Sequence, residues 1–323
     1  MEAIATHDLS KIYKGIGKST VKSLDQLNLT VGEHEVFGFL GRNGAGKTTT
    51  IKILCSLLKA STGEAQVFGE NVRSRAARRL IGYLPEQPYF YEYLTPKETI
   101  DFYGRLQGLD SATRKREWDK LAALLDLGDI ADRHIKGFSK GMRQRVGFAV
   151  ALVGDPPLLI LDEPMSGLDP IGRRQIRELM VYLREQKKTL FFSSHVLSDV
   201  EQVCDRVGIL VKGKLVRTGR IDMLLSAQQT EVEVVATGLE DATCKALAGR
   251  AVRSHVLEEH VYFVLDSPET ANGLVRDIHK FGGKLVEYTP LKETLEEYFM
   301  REQEAVLQSK TGTGTSSQMG AVS

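Results

Sequence analysis

Residues Gly41–Thr48 read Gly-Arg-Asn-Gly-Ala-Gly-Lys-Thr, and this segment constrains the fold more than any other. It follows the apolar run Glu35–Leu40 and opens a helical pattern, which predicts a strand, a glycine-rich loop and a helix in succession. Backbone N–H groups of such a loop curl around a phosphate, and the helix N-terminus adds partial positive charge. Lys47 is placed to reach the β- and γ-phosphates, and the Thr48 hydroxyl is a natural Mg²⁺ ligand. The predicted nucleotide site therefore comprises Gly41, Arg42, Asn43, Gly44, Ala45, Gly46, Lys47, Thr48 and Thr49.

Two carboxylates follow a second apolar strand pattern further along the chain. Leu158–Leu161 is entirely apolar and is followed directly by Asp162 and Glu163. On their own, two acids after a strand are typical of a solvated loop. Together with the glycine-rich loop they predict catalysis: Asp162 holds Mg²⁺ with Thr48, and Glu163 polarises an attacking water as general base.

The first two-thirds of the chain alternates apolar runs with helical patterns, which is typical of an α/β fold with a mainly parallel sheet. The predicted strands are Glu35–Leu40, Ala65–Phe68, Leu158–Leu161, Thr189–Ser193 and Val207–Val211. Between about residues 95 and 154 the pattern is helical throughout, which predicts a helical subdomain inserted into the core. Arg206–Thr218 is predicted to form a hairpin that closes this first domain, residues 1–227.

The pattern changes after about Ala227. Strands and helices follow in the order β-α-β-β-α-β, which predicts a small ferredoxin-like α+β domain over residues 228–307, with the terminal helix Thr294–Leu307. Residues 308–323 are small, polar and almost uncharged, and we expect them to be disordered. The domain's histidines lack carboxylate or cysteine companions at ligand spacing, so no metal site is expected. Two roles stay open: dimer support or partner docking, and a regulatory small-molecule site.

Composition excludes several classes of protein. The chain has 43 Lys and Arg against 42 Asp and Glu, so we expect no nucleic-acid partner. Cys55, Cys204 and Cys244 are too few and too unevenly placed for a disulfide framework, which favours a reducing cytoplasm. No stretch approaches the roughly 18–20 apolar residues of a membrane span, and the first residues lack a signal peptide's apolar segment. We therefore expect a soluble protein, or one held at a membrane by another component.

The segment Ser139–Arg145 reads Ser-Lys-Gly-Met-Arg-Gln-Arg. Ser139 before a helix pattern is first of all an N-cap. The segment also resembles the signature loop of ABC-type ATPases, and the order of the other motifs resembles that family too. Those motifs are Tyr13, Gly41–Thr48, Asp162–Glu163, Ser166–Asp169 and His195. The resemblance covers residue 3 to about 226 and implies a P-loop ABC-type ATPase core that hydrolyses ATP with Mg²⁺.

The resemblance also implies roles for single residues. In this family the signature loop of one subunit completes the phosphate site of the other. Ser139 and Gly141 are therefore expected to contact the partner's nucleotide in a head-to-tail dimer. Asp169 corresponds to the loop that couples the two sites. His195 corresponds to the switch histidine that contacts the γ-phosphate, and Tyr13 to the aromatic that stacks on adenine.

The chain departs from the family pattern at a few positions. The family usually has Gln after the strand that precedes the helical insert, whereas here Glu86 stands first and Gln87 second. Either Glu86 takes over this Mg²⁺-sensing role, or the loop shifts by one residue. Lys140 and Met142 replace the commoner Gly and Gln of the signature loop. The predicted catalytic residues Lys47, Glu163 and His195 and the predicted metal-site residues Thr48, Asp162 and Glu86 are all present.

Three functional classes are considered for such an ATPase: a membrane transporter, a DNA-maintenance protein and a ribosome-acting factor. The DNA proteins carry a very long coiled coil and the ribosome factors two ATPase copies, and this sequence has neither. The sequence of its signature loop and its C-terminal domain resemble those of the ATPases of bacterial drug, lipid and polymer exporters. This implies a homodimer or paired ATPase that powers export through a separate multi-span permease, at the cytoplasmic face of the inner membrane. The aromatic segment Pro88–Leu94 either lines the permease groove or packs locally. The alternative is a soluble regulatory ATPase without a permease.

Overall fold

The computed structural model describes residues 2–14, 20–226, 231–291 and 295–301. These residues form two units, which divide after Ile221. The boundary predicted at residue 227 lies outside the described residues. The elements of the first unit are β1 (Glu2–Lys14), β2 (Thr20–Gly32), β3 (Val36–Leu40), α1 (Lys47–Leu54), β4 (Thr62–Val67), β5 (Glu70–Asn71), α2 (Arg75–Arg79), β6 (Ile81–Leu84), α3 (Pro96–Leu106), α4 (Ser111–Leu124), α5 (Lys140–Leu152), β7 (Leu158–Asp162), α6 (Pro170–Glu185), β8 (Thr189–Ser194), α7 (Leu197–Val203), β9 (Arg206–Val211) and β10 (Lys214–Arg220). The helix α8 (Ile221–Ser226) follows β10.

The central sheet has the strand order β10-β9-β3-β8-β7-β6. Neighbouring strands from β9 to β6 run parallel, and β10 pairs antiparallel with β9 as the predicted hairpin. β3, β7 and β8 are buried along their whole length, as expected for strands covered on both faces. Because parallel strands end at the same edge, the loops after β3, β6, β7 and β8 emerge together.

A second, antiparallel sheet has the order β2-β1-β4-β5. The helix α1 shares one hydrophobic core with both sheets, through Ile51 and Leu54. Phe37 of β3 and Phe191 of β8 belong to the same core, and their rings stack with centroids 5.8 Å apart. This packing fixes α1 with its N-terminus at the end of β3.

The helices α3, α4 and α5 occupy the region predicted to be helical, and each begins at a capping side chain. Thr95 accepts a hydrogen bond from the Glu98 N–H and donates its own N–H to the Glu98 carboxylate. Asp110 caps α4 and Ser139 caps α5 in the same way, through the N–H three residues on. The N-cap predicted for Ser139 is therefore present.

The second unit contains β11 (Val232–Thr237), α9 (Asp241–Ala248), β12 (Arg253–Leu257), β13 (His260–Leu265), α10 (Pro268–Lys280) and β14 (Lys284–Pro290). The strand order β12-β13-β11-β14 with antiparallel pairing is that of the predicted ferredoxin-like fold. Residues 295–301 are helical, within the predicted helix Thr294–Leu307. The rest of that helix and the tail predicted to be disordered lie outside the described residues. In the described ranges no helix is long and apolar enough to cross a membrane.

Candidate functional site

A cavity of about 430 Å³ opens at the edge where the parallel strands end. Its lining comes from the loops after β3, β6, β7 and β8, together with one residue of β2. The lining residues are Ser23, Arg42, Asn43, Gly44, Gly46, Lys47, Thr48, Thr49, Glu86, Glu163, Ser166 and His195. The structure therefore brings most of the residues predicted from separate motifs into one place.

The glycine-rich loop has a backbone that only glycine adopts easily. Gly44 and Gly46 have φ angles of +80° and +112°. A Cβ atom on Gly46 would lie 2.5 Å from the Ser23 carbonyl oxygen, and one on Gly41 would lie 2.7 Å from the Leu210 carbonyl oxygen. No side chain caps the N-terminus of α1. The first N–H groups of this helix, with their partial positive charge, face the cavity and suit an anionic ligand.

The buried ammonium group of Lys47 lies between two oxygen acceptors. Its Nζ donates a hydrogen bond to the Gly41 carbonyl oxygen at 2.6 Å. It also lies 3.2 Å from Glu163 Oε1. The contact brings a cation from the loop after β3 against a carboxylate from the end of β7.

Glu163 contacts a second group through its other carboxylate oxygen. His195 Nδ1 lies 2.8 Å from Glu163 Oε2, so its N–H donates to the carboxylate. The backbone of Glu163 is in the left-handed region with φ +50°, a conformation that costs about 1–2 kcal/mol for a non-glycine residue. This turn directs Glu163 towards Lys47 and His195, whereas Asp162 before it points elsewhere.

Asp162 is buried and accepts hydrogen bonds from two hydroxyl groups. Thr48 Oγ1 lies 3.3 Å and Ser193 Oγ 2.7 Å from Asp162 Oδ1. Burial raises the pKa of Asp162, and the two hydroxyl donors and Lys47 offset part of this rise. Ser193 also accepts the Glu163 N–H at 2.9 Å. Sequence reasoning missed Ser193; the change from Phe to Ser at the end of β8 was the available signal.

Some predicted residues do not line this cavity. Gly41, Ala45 and Asp162 are buried beside it. At the position after β6, Glu86 lines the cavity and Gln87 does not.

Four other predicted residues lie away from the cavity. Tyr13 is exposed near the end of β1, with Lys11 Nζ 5.2 Å from its ring centre. Ser139 and Asp169 are exposed N-caps of α5 and α6, and Gly141 is in the first turn of α5. The single chain therefore brings together the residues predicted to bind phosphate and the predicted general base, but not the residues expected to act from a partner subunit.

A second missed residue connects the signature helix to the acid loop. Gln144 of α5 is buried, and its Nε2 donates to the Pro164 carbonyl oxygen at 2.7 Å. Pro164 directly follows Glu163. This hydrogen bond ties the segment that contains Ser139 to the loop that contains the candidate general base.

Comparison with known proteins decides the family. A family model described as ABC transporter matches residues 24–166. An uncharacterized ABC transporter ATP-binding protein of Synechocystis is 39% identical, in a match that covers 93% of this chain and 84% of that protein. The chain belongs to the ATP-binding proteins of ABC transporters. It is therefore an ATP-binding, ATP-hydrolysing subunit, as the motif order predicted.

Other members of this ABC transporter family extend the comparison. The bacitracin transport ATP-binding protein BcrA of Bacillus licheniformis is 35% identical, over 92% of this chain and 96% of that protein. A solved ATP-binding subunit of an ABC transporter has a TM-score of 0.62 at 31% identity, covering 69% of this chain and 91% of its own. A dimeric ATP-binding cassette solved with ADP and Pi has a TM-score of 0.62 at 23% identity, covering 68% and 98%. The predicted P-loop ATPase fold is confirmed.

Proposed function

We propose that this ABC transporter subunit works as a head-to-tail dimer that hydrolyses Mg²⁺-ATP and powers export through a separate multi-span permease. Its place is the cytoplasmic face of the cell membrane, where the permease holds it. The observation that carries the proposed chemistry is the contact of Glu163 with both Lys47 and His195. A carboxylate held between a phosphate-binding cation and a histidine is suited to activate water next to a phosphate.

Lys47 and the loop before α1 bind the polyphosphate in this proposal. The uncapped helix N-terminus and the backbone N–H groups of Gly44 and Gly46 supply donors for the phosphate oxygens. The Lys47 ammonium contacts Glu163 and the Gly41 carbonyl oxygen. When it turns to the β- and γ-phosphates, Glu163 Oε1 becomes free to accept a hydrogen bond from water. Substrate binding thus activates the general base.

Thr48 and Asp162 fit a magnesium site. A hydroxyl and a carboxylate are hard oxygen ligands, and Mg²⁺ keeps several waters rather than filling its sphere with protein groups. In the described residues no three His, Cys, Asp or Glu side chains cluster as a metal cage, which suits a cation bound largely through substrate. Glu86 approaches from the wall of the cavity as the proposed sensor of this site. The cation would neutralise charge that develops on the phosphates.

Glu163 acts as the general base and His195 as the residue that orients it. His195 donates from Nδ1 to Glu163 Oε2, which fixes the direction of the carboxylate. Its other ring nitrogen, Nε2, is then available for the γ-phosphate or the water. The pKa of Asp162 is raised, but the proposed roles of the two acids do not change. Asp162 is hydrogen-bonded to hydroxyl groups, whereas Glu163 contacts charged or ionisable groups.

Ser139, Gly141 and Asp169 act across the dimer interface, and Tyr13 stacks on adenine. In support, Tyr13, Ser139 and Asp169 are exposed, Gly141 is half-buried, and none of the four lines the single-chain cavity. The first turn of α5 contains no acid and begins with Lys140, directly after Ser139, whereas Arg143 is paired with Glu92 at 3.2 Å. Such an electropositive helix start favours a phosphate from a second subunit. The solved cassette with ADP and Pi is dimeric, which is the arrangement proposed here.

The aromatic segment Pro88–Leu94 is the proposed permease contact. Tyr89 is 86% exposed, and Tyr93 is exposed as well. Phe90 is buried, and Tyr91 packs edge-to-face on Phe102 of α3 with ring centres 5.8 Å apart. Local packing thus anchors the segment while other rings stay available for a partner. The name of the bacitracin transport relative also favours transport.

The test is the Glu163→Gln variant. The amide cannot act as a base, so we expect hydrolysis to be lost while ATP binding persists and traps an ATP-dependent dimer. Light scattering with and without Mg²⁺-ATP measures the dimer, at protein concentrations at which the chain without nucleotide is monomeric. Glu185→Gln, on the exposed end of α6, is the matched control and should hydrolyse ATP like the wild type. A Glu163→Gln chain that stays monomeric at saturating Mg²⁺-ATP would disprove the head-to-tail model.

A further inference from the structure

The four-stranded sheet of the second unit has two outer strands, β12 and β14, and they differ in character. β14 carries Lys284, Glu287 and Pro290, and its pairing with β11 contains a register shift. Charges, proline and irregular pairing are the features by which natural proteins keep an outer strand from pairing with another chain. β14 is therefore protected against further pairing.

β12 has only one of these features, the charged residue Arg253 at its first position. Its five residues, Arg253–Leu257, are all exposed, and the strand contains neither Lys nor Pro. Its register with β13 continues without a shift. Val256 is 66% exposed and Leu257 59% exposed. Within the part of the chain that the structure describes, no strand pairs with the outer edge of β12. Two apolar side chains, on opposite faces of a regular strand, are thus left in solvent beside a row of backbone N–H and C=O groups.

The two ends of β12 carry opposite charge. Arg253 begins the strand, while Glu258 and Glu259 follow it in the turn to β13. Arg253 already contacts Glu231 within the chain at 2.8 Å, but both side chains are largely exposed. An exposed pair of this kind is weak, so Arg253 remains able to share a second carboxylate. Antiparallel pairing of β12 with another β12 would bring each Arg253 to the acidic end of the other strand.

We propose that β12 is a dimerisation edge, which pairs antiparallel with β12 of a second copy of this chain. The pairing joins two four-stranded sheets into one continuous sheet and covers Val256 and Leu257. A two-fold arrangement is the commonest form of homodimer, and it satisfies the charges at both ends at once. Parallel pairing would instead place like charges together. This interface is distinct from the nucleotide sandwich and needs no ATP.

The test compares two lysine substitutions in the full chain without nucleotide, by sedimentation velocity over a concentration series in EDTA. Val256→Lys places two like charges on the same face of the paired strands, so we expect the dimer dissociation constant to rise by about tenfold or more. Val286→Lys, at an exposed position of β14, is the matched control and should dimerise like the wild type. A wild type that is monomeric throughout, or a Val256→Lys chain that dimerises equally well, would overturn the proposal.

Disulfide trapping locates the contact. Facing residues of antiparallel strands have Cα atoms about 4.5–5.5 Å apart, within reach of a disulfide. In a two-fold pair one residue faces itself, so at least one of Ser254→Cys, His255→Cys and Val256→Cys should cross-link under mild oxidation. Wild type and Val286→Cys should not, which controls for the native cysteines. Cross-linking of none of the three would refute the antiparallel pairing. The ATP sandwich is tested separately in a Glu163→Gln chain that also carries Val256→Lys, because a dimer that forms there on addition of Mg²⁺-ATP does not depend on β12.

Discussion

At the residue scale, one buried hydroxyl organises two adjacent acids. Ser193 donates to Asp162 Oδ1 and accepts the Glu163 N–H, so it holds the end of β7 in place from the neighbouring strand. The left-handed backbone at Glu163 separates the two carboxylates by direction. Asp162 is left among hydroxyl groups and Glu163 beside Lys47 and His195. Two identical chemical groups thereby lie in different surroundings.

Ser193→Ala should shift the pH dependence of hydrolysis. Asp162 must be ionised to hold Mg²⁺, and its raised pKa makes hydrolysis fall as the pH drops through that pKa. The Ser193 hydrogen bond lowers this pKa, so its removal should move the acidic limb of the kcat–pH profile to higher pH. The loss of a donor and an acceptor in a buried position should also lower the free energy of unfolding by about 1–3 kcal/mol.

The control for this prediction is the next residue along β8. Among the described residues, Ser194 Oγ forms hydrogen bonds with the backbone of Val196 and with neither carboxylate. Ser194→Ala should therefore keep the acidic limb at the wild-type pH, whatever its effect on rate. An unchanged acidic limb in Ser193→Ala would show that Asp162 does not set it.

The sequence predicted which residue types meet at this edge, because motifs that end parallel strands must converge. Lys47, Asp162, Glu163 and His195 illustrate this. It did not predict their pairwise contacts, because the Lys47–Glu163 ion pair depends on a positive φ that no local pattern encodes. The assignments of Tyr13 and Asp169 stay predictions, since both lie outside the cavity of the single chain.

At the element scale, the buried parallel strands were predictable and the antiparallel sheet was largely missed. β3, β7 and β8 are short continuous apolar runs. β1 and β2 are long but irregular, because their pairing shifts register several times and Asp8 and Gln26 adopt positive φ. Each such bulge breaks the two-residue alternation by which a half-buried strand is recognised. The elements from β11 to β14 in the second unit were predicted in the right order.

A buried carboxylate joins the two helices that follow the catalytic loops. Asp199 of α7 lies 2.7 Å from Arg177 Nη1 and 3.7 Å from Arg173 Nη1, both on α6. α6 begins at the Asp169 cap, and α7 begins just after His195. The ion pairs therefore connect the loop that contains Asp169 to the loop that contains His195.

Asp199→Asn should loosen this connection. The neutral amide leaves two arginines without a charged partner at a site where the carboxylate is buried, and we expect the free energy of unfolding to fall by about 1–3 kcal/mol. We also expect kcat to fall more than the KM for ATP changes. Urea unfolding and steady-state kinetics measure both. Glu178→Gln breaks an exposed pair with Arg174 on the same helix and should cost less than about 0.5 kcal/mol; equal losses in the two variants would contradict the prediction.

At the scale of the whole molecule, the chain combines a unit that contains the candidate site residues with a second unit whose described residues include none of them. Each unit has its own hydrophobic core, which is why the chain has the apolar content of an ordinary globular protein. In the proposed transporter, the permease selects the substrate. The proposed permease contact then becomes the feature on which the biological function depends.

The last prediction concerns that contact. Tagged chain with Glu163→Gln, extracted from membranes in ATP, should co-purify a polytopic membrane protein, because the trapped state holds the transporter together. Adding Tyr89→Ala and Tyr93→Ala removes two exposed rings and should reduce recovery of that partner by about tenfold, since exposed aromatic anchors dominate interface energies. Tyr182→Ala, an exposed ring on α6, should not. The ATP-dependent dimer should persist when Tyr89→Ala, Tyr93→Ala or Tyr182→Ala is added to Glu163→Gln. Recovery of the dimer without any membrane protein would instead favour a soluble regulatory ATPase, because the exposed tyrosines would then have no permease to bind.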